Sequence, residues 1–241
     1  MEGFLNTTPN GLPWLPWWLI WWLIALPFLA LGVHRLMRVL EADREALPLM
    51  GVTGGFIFIL SSLKLPSPVT GSSSHPTGTG LSAIAFGPWV TTVVGAIVLL
   101  FQALFLAHGG LSTLGANTMS MGVLGPLAGW CVYRILRDTP VNLFFTVFLA
   151  CALSDLVTYV VTSLELALAY PAQVGGVASS FAVFMGIFAV TQVPLSILEG
   201  VVLALVFKYI VQLRPEILIR LGIFSEEKVA AARGDGDALR A

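Results

Sequence analysis

The run VASSFAVFMGIFAVTQVPLSILEGVVLALVFKYIVQL, residues 177–213, decides the fold class of this chain. Its only charged residues are Glu199 and Lys208, and it exceeds the roughly 20 apolar residues that one membrane-spanning helix needs. Pro194 lies near its middle, where a proline removes a backbone donor and clashes with the preceding helical turn. We therefore predict two spans, Val177–Val193 and Leu195–Leu213, or one span if the run is unbroken.

The rest of the chain is similarly apolar. Hydrophobic residues make up 57% of it, charged residues 10%, and the mean hydropathy is +0.90. A single soluble core could not hide this much apolar surface, so we expect a multi-pass protein of the cell membrane. A net charge of -1 excludes a nucleic-acid binder, which needs a basic surplus. Cys131 and Cys151 lie in apolar runs and are interpreted as small buried hydrophobes without a disulfide.

Five further apolar segments complete an all-α polytopic bundle of about seven spans, with six also possible. They are Trp14–Met37, Leu47–Leu63, Leu81–Ala107, Thr118–Ile135 and Val141–Leu166. The first carries five Trp between Trp14 and Trp22, which is typical of a membrane-interface belt and not of a signal peptide. We assign residues 1–213 to the transmembrane domain and 214–241 to a short cytoplasmic tail, with 225–241 solvated.

Orientation follows from the basic residues. They collect after the first span and after the last, at Arg35, Arg38, Arg44, Lys208, Arg214, Arg220 and Lys228. The positive-inside rule places both regions in the cytoplasm and the N-terminus outside. Two predicted spans separate that N-terminus from the loop 64–80, so the loop also lies on the outer side. Arg134 and Arg137 disagree with this topology, since they would then face outward.

A polar loop, GSSSHPTGTG at residues 71–80, interrupts the apolar runs. Its small residues bring hydroxyl and carbonyl groups close to one imidazole, His75, which is the composition of a binding site. Ser74 and Thr77 flank that imidazole and are pocket candidates. The alternative is an ordinary turn with a solvated histidine.

No pattern in the chain indicates an enzyme. It has no GxxxxGK[ST] phosphate-binding loop, no HExxH and no paired-carboxylate spacing. The three histidines, His34, His75 and His108, are far apart in sequence, and no acid lies near the serines of the polar loop. His108 precedes two glycines at a span end, where capping the last helix carbonyls is favoured over metal ligation, and it is also a pocket candidate.

Several polar side chains fall inside the predicted spans. A charge at mid-membrane costs at least about 2.5 kcal/mol, so Asp155, Gln192 and Glu199 should face the bundle interior and find partners. Contacts between helices are favoured for them over a role in a metal path. Two groups of small residues allow close helix contact, either within the bundle or with another subunit: Gly51, Gly54, Gly55 and Gly122, Gly125, Gly129.

Six ordered blocks of this chain resemble the CbiM type of cobalt uptake protein, which is closely related to the nickel-specific NikM type. The resemblance runs from residue 1 to about 213. The blocks are Met1–Leu5, Ser74–Leu81, Ile97–Leu104, Ala107–Leu111, Thr113–Thr118 and Thr191–Leu195 with Glu199-Gly200.

The resemblance implies the substrate-binding membrane component of an energy-coupling factor importer, which is not itself an enzyme. It would capture Co²⁺ outside, as cargo and not as a cofactor, to supply cobalamin biosynthesis. The implied partners are a coupling transmembrane subunit, ATPase subunits and a small accessory membrane subunit. Asn117 and Thr118 belong to one of the matching blocks and are candidates for hydrogen bonds that shape the pocket.

The resemblance also implies a set of metal ligands. In the family the N-terminal amine, a histidine in position two and the loop histidine hold the metal, and the last of these corresponds to His75. This chain begins Met1-Glu2-Gly3-Phe4, whereas family members begin Met-His-Ile-Met-Glu-Gly-Phe. Either the start was assigned to the second of two methionine codons, which we favour, or the site is reduced to His75 and the Met1 amine.

Two alternative functions stay open at the level of sequence. The same type of complex could import nickel, although Glu2 after Met1 resembles the cobalt-type start. A different class of protein, a membrane sensor or scaffold, would bind the metal without moving it. Neighbouring genes for an ATPase and a coupling subunit would favour transport.

Overall fold

The computed structural model describes residues 16–66, 73–106 and 108–238, and almost all of its regular structure is helical. A two-residue antiparallel ladder pairs β1 (Leu65–Pro66) with β2 (Ser73–Ser74). The helices are α1 (Trp17–Ala42), α2 (Ala46–Ser62), α3 (Thr79–Phe86), α4 (Pro88–Phe105), α5 (Leu114–Asn117), a π-helical segment (Thr118–Leu124), α6 (Gly125–Leu136), α7 (Leu143–Ala169), α8 (Gly176–Leu213), α9 (Pro215–Arg220) and α10 (Glu226–Ala238). The prediction of an all-α fold is confirmed.

Five helical segments of the described ranges are long and apolar enough to cross a membrane. These are α1, α4, the continuous rod Leu114–Leu136, α7 and α8, and the apolar α2 is shorter at 17 residues. This agrees with the predicted multi-pass protein.

The long apolar run at 177–213 is one helix, so its predicted division at Pro194 is wrong. Helix α8 has 38 residues and is about 57 Å long, against about 30 Å for the hydrocarbon core of a bilayer. Proline removes only one backbone hydrogen bond. The buried residues of α8 lie three or four positions apart on one face, which packs against α7 across the proline: Gln192, Ser196, Glu199, Leu203, Phe207 and Val211. This packing keeps the helix continuous.

The predicted span Leu81–Ala107 is divided where none was expected. Gly87 has φ 83° and separates α3 from α4, and Pro88 begins the second helix. A positive φ suits glycine, and proline suits the first position of a helix. Helix α3 has eight residues, about 12 Å, which is too short to cross a bilayer.

Hydrogen bonds identify the two ends of the bundle. At one end, here called the basic end, Arg220 lies 3.8 Å from Asp43 and also pairs with Glu45. Lys228 Nζ donates there to three carbonyl oxygens at the end of α6: Leu136 at 3.2 Å, Arg137 at 2.7 Å and Thr139 at 3.1 Å. At the other end, here called the His75 end, Lys64 Nζ donates to Leu106 O at 2.8 Å.

Arg134 and Arg137, which were expected to face the side opposite to the other basic residues, lie at the basic end with them. Helices α3 and α4 enter the bundle and return to the His75 end, because α3 follows β2 and α4 ends beside Lys64. The rod Leu114–Leu136 then runs to the basic end. Arg134 and Arg137 therefore lie with the other basic residues and do not oppose them.

The start of the tail after α8 packs against the bundle. Within the stretch predicted to be solvated, Val229 is buried, whereas most of the described residues from 225 to 234 are exposed as predicted. Leu218, Phe224 and Val229 are buried, and the Tyr133 hydroxyl donates to Ile223 O. Apolar residues of α9 and α10 thus extend the core at the basic end.

The two cysteines differ in their surroundings. Both are free, Cys151 is buried as predicted, and Cys131 is exposed, contrary to prediction. Cys151 lies against Gly80, where an added Cβ would be 2.8 Å from the Cys151 Cα. This close approach brings the start of α3 against the N-terminal half of α7.

Candidate metal centre

The polar loop enters the bundle and is held between α7 and α8. His75 is 5% exposed. Its backbone N–H donates to the Tyr159 hydroxyl at 2.9 Å, and that hydroxyl directs its own proton toward Ser73 O and His75 O at 3.3 and 3.4 Å. The Ser74 hydroxyl lies 2.7 Å from the Thr191 hydroxyl on α8. The loop backbone is therefore fixed by side chains of both helices.

A second histidine lies directly against His75. His108, which follows α4, places its Nε2 atom 3.0 Å from His75 Nε2, and the ring planes cross at 77°. His75 Nδ1 lies 3.0 Å from Pro76 O, and His108 Nδ1 lies 3.0 Å from the Ser73 hydroxyl. The His108 ring therefore bonds to side chains of the polar loop, as a pocket residue would, and does not take the helix-capping role that the sequence favoured.

A carbonyl oxygen only accepts, so it fixes the tautomers of this pair. His75 Nδ1 must carry the proton that Pro76 O accepts, which leaves His75 Nε2 without a proton in the neutral ring. His108 Nε2 then donates to His75 Nε2, and His108 Nδ1 accepts from Ser73. The free lone pair of His75 is thus aimed at His108.

Both imidazoles are neutral at pH 7. Burial lowers the pKa of His75 to about 4, with a smaller contribution from the Lys64 ammonium. The pKa of His108 is lowered to about 3 by burial and then by His75 and Lys64. Neutral imidazole is the form that binds metals, so both rings can coordinate a metal without losing a proton to solvent.

Glu199 anchors the other side of the loop. Its carboxyl oxygens accept from Thr77 N at 2.5 Å, from Gly78 N at 3.0 Å and from the Thr77 hydroxyl at 3.3 Å. Glu199 and Thr77 are both buried. The two residues that follow Pro76 are therefore bound to α8 by a buried acid within that helix.

Asp155 and Gln192 hold the loop from between the same helices. Gln192 Nε2 donates to Asp155 Oδ2 at 2.5 Å and to His75 O at 3.3 Å. Asp155 also lies within hydrogen-bonding reach of Glu199. The three intramembrane polar residues singled out in the sequence thus form one cluster beneath His75.

The two candidates from the Leu-Gly-Ala-Asn-Thr block do not contact His75. The Asn117 amide donates to the Thr113 hydroxyl at 3.3 Å and lies against Gly109, beside His108. Thr118 begins the π-helical segment and is buried, with no hydrogen-bond partner for its hydroxyl among the described residues. Asn117 therefore lies at the edge of the site and Thr118 outside it.

Tyr159 and Ser73 were not predicted as site residues. Tyr159 lies four residues after Asp155, which puts the two on one face of α7, so helical spacing from an intramembrane acid could have identified it. Ser73 belongs to a run of three serines, and nothing in the sequence distinguishes it from its neighbours. Its contact with His108 spans 35 positions.

The described residues contain no group of three or more His, Cys, Asp or Glu side chains arranged to hold a metal. His75 and His108 offer two nitrogens, which is fewer than a closed site needs. Met1, whose amine is a predicted ligand, lies outside the described residues.

Comparisons with known proteins agree on one family. The CbiM family model, described as the cobalt uptake substrate-specific transmembrane region, matches residues 9–217. A Methanosphaerula palustris protein named for cobalt transport, CbiM 2, is 66% identical over 99% of this chain and 97% of its own length. A fused Methanocorpusculum labreanum protein named for cobalt transport, CbiMQ, is 51% identical over 95% of this chain and 37% of its own length.

A solved structure shares the fold. It is described as a truncated transition metal transporter and superposes with a TM-score of 0.70 over 80% of this chain and 92% of its own. At 23% identity this likeness supports the architecture alone.

Proposed function

We propose a function for this chain from the premise that it belongs to the CbiM family of cobalt uptake transmembrane regions: it captures Co²⁺ at the His75 end for import across the membrane. The observation that carries this proposal is the buried His75 imidazole. Its Nδ1–H donates a hydrogen bond to Pro76 O, which orients the ring and leaves Nε2 available as a ligand. Nitrogen donors of this type suit Co²⁺ and Ni²⁺.

The proposal includes an assembly in which this chain does not hydrolyse ATP. Separate ATPase subunits, a coupling transmembrane subunit and a small accessory membrane subunit would power import, and the imported cobalt would serve cobalamin biosynthesis. The fused CbiMQ relative supports a CbiQ-type partner, since two proteins that act together can be joined in one chain. The surplus of Arg and Lys at the basic end supports a cytoplasmic position for that end.

Metal titration tests the capture step. We expect purified protein to bind Co²⁺ in isothermal titration, His75→Ala to weaken binding at least 100-fold, and His34→Ala to leave it unchanged. His34 is the matched control because it is an exposed histidine on α1. A form preceded by Met-His-Ile tests whether those residues complete the ligand set. Binding indifferent to His75 would refute the site.

Uptake by whole cells separates transport from sensing. Cells that express this chain with its coupling and ATPase subunits should accumulate cobalt, and His75→Ala should abolish the accumulation. Stronger accumulation of Ni²⁺ than of Co²⁺ would identify the nickel importer. Metal binding without accumulation would identify a membrane sensor or scaffold.

A further inference from the structure

A cleft at the basic end combines an apolar lining with one positive charge. It lies between the start of α7, at residues 142–145, the end of α8, at Lys208 and Val211, and Ala232 of α10. Its volume is about 330 Å³, at the lower end of the range for ligand clefts. Apart from Asn142 and Lys208, the residues that line it are apolar, and none of the described lining residues is acidic. It is called the Lys208 cleft below.

Lys208 differs from the other cations around the cleft because it has no counter-charge. Lys228 Nζ donates to three carbonyl oxygens, and Arg214 lies 3.3 Å from Glu216. Among the residues that the structure describes, Lys208 has neither an ion pair nor a hydrogen bond. It lies five residues before Leu213, the last residue of α8, and therefore about 7.5 Å inside that apolar helix. Its ammonium thus needs an anion near the membrane surface.

The surface beside the cleft faces lipid. Phe145 and Leu205 are exposed on helices that are long and apolar enough to span a membrane. Tyr209, which follows Lys208, is exposed as well, and tyrosine is enriched where acyl chains meet head groups. Long lysine side chains near helix ends also extend to this level. An occupant of the cleft therefore meets an apolar surface and a cation at the depth of the head groups.

We propose that the Lys208 cleft binds one anionic phospholipid, with its phosphate at the Lys208 ammonium and an acyl chain along Phe144 and Phe145. Basic pockets between membrane-spanning helices bind anionic head groups in this way. Helix α7 begins at the cleft without an acidic residue in its first turn, so its dipole adds to the positive potential. The bound lipid would contact α7, α8 and α10 together and stabilise the packing of these three helices.

Native mass spectrometry of the full chain with added lipid tests the proposal. Dioleoylphosphatidylglycerol is anionic, and dioleoylphosphatidylcholine has the same acyl chains and no net charge. We expect the first phosphatidylglycerol molecule to bind at least about fivefold more tightly than the first phosphatidylcholine molecule. Lys208→Gln should remove this preference, and Lys208→Arg should retain it.

Arg38→Gln is the matched control for the loss of one positive charge. Arg38 is exposed, lies four residues before the end of α1 and does not line the Lys208 cleft. This variant should keep the preference for phosphatidylglycerol. An equal loss of preference in Arg38→Gln and Lys208→Gln would mean that the lipid responds to overall charge, which overturns the assignment of the cleft.

Thermal unfolding in detergent micelles gives a second readout. A ligand that binds only the folded state raises the melting temperature. Phosphatidylglycerol should therefore raise it for the wild type, Lys208→Arg and Arg38→Gln, and should not raise it for Lys208→Gln. Without added lipid, Lys208→Gln should melt with the wild type, because the substitution breaks no contact of the lysine.

Three results would overturn the proposal. The first is equal binding of the two lipids by the wild type, which decides the matter even where a variant fails to fold. The second is displacement of the lipid by glycerol 3-phosphate, which carries the anion without acyl chains. The third is a Lys208→Gln protein that keeps its lipid preference but no longer co-purifies with the coupling subunit, since the cleft would then be a protein interface. Lipid binding is measured without metal, so this proposal and Co²⁺ capture fail separately.

Discussion

The Tyr159 hydroxyl is the contact that fixes the backbone of His75. It accepts the His75 N–H at 2.9 Å, and its ring packs on Phe188 with centroids 5.2 Å apart. Tyr159→Phe keeps the ring and leaves a buried N–H without a partner, which costs about 1–3 kcal/mol. We expect a lower melting temperature and weaker Co²⁺ binding in isothermal titration.

Tyr133→Phe is the control for that change. Its hydroxyl donates to Ile223 O at the basic end, far from the polar loop. The control should lose stability and keep its cobalt affinity. Equal loss of affinity in both variants would mean that Tyr159 acts through general stability and not through the loop.

The Glu199 carboxylate is the second anchor, and its acceptor geometry matters more than its size. Glu199→Gln replaces one acceptor oxygen by an NH₂ group facing the backbone N–H groups of Thr77 and Gly78. A buried N–H left without an acceptor costs about 1–3 kcal/mol, so we expect a drop in stability and a Co²⁺ affinity reduced at least tenfold. Thermal unfolding and titration measure the two effects.

Glu165→Gln provides the comparison on α7. Glu165 is also buried, and its Oε1 atom has no hydrogen-bond partner among the described residues. Removing its carboxylate should not destabilise the protein or change cobalt binding. A loss of affinity as large as that of Glu199→Gln would contradict a specific role for the Glu199 anchor.

At the scale of the helices, the glycines of the two groups differ in the space around them, because some lie against a neighbouring helix and others do not. An added Cβ at Gly129 would lie 2.6 Å from Ala150 O, whereas Gly51 has nothing within 4 Å. We therefore expect Gly129→Ala to lower the melting temperature clearly by separating α6 from α7. Gly51→Ala should be neutral or slightly stabilising, because alanine is favoured in helices by about 1 kcal/mol. Equal melting temperatures would contradict this packing.

The helices also show what could be read from the sequence. The existence of the spans followed from apolar length, and the choice of His75 from a polar loop in an apolar chain together with the family resemblance. Helix interruptions were predicted less well, since Gly87-Pro88 divides an apolar run and Pro194 does not. Whether the helix breaks at each position depends on the residues that pack against it, and the local sequence does not specify them. The same holds for His108 and Tyr159, whose roles arise from contacts distant in sequence.

For the whole molecule, the distribution of charge predicts how the bundle sits in the membrane. In a background without Cys131 and Cys151, Val174→Cys places a thiol at the His75 end, and Glu226→Cys places one at the basic end. Val174 is 87% exposed, so its thiol should react with an impermeable maleimide in intact cells. The Glu226→Cys thiol should react only after the membrane is permeabilised. The reverse pattern would invert the orientation.

Helix α8 joins the site to the basic end as one continuous helix, and it lacks one backbone hydrogen bond at Pro194. Pro194 cannot donate to the carbonyl one turn earlier, so the helix is most easily bent there. Gln192 and Glu199 lie on either side of Pro194 and bind the same loop, at His75 O and at Thr77 N. The polar loop thus connects the two parts of α8 that lie on either side of Pro194. A change in the curvature of α8 at Pro194 would therefore change the position of the loop backbone that carries His75.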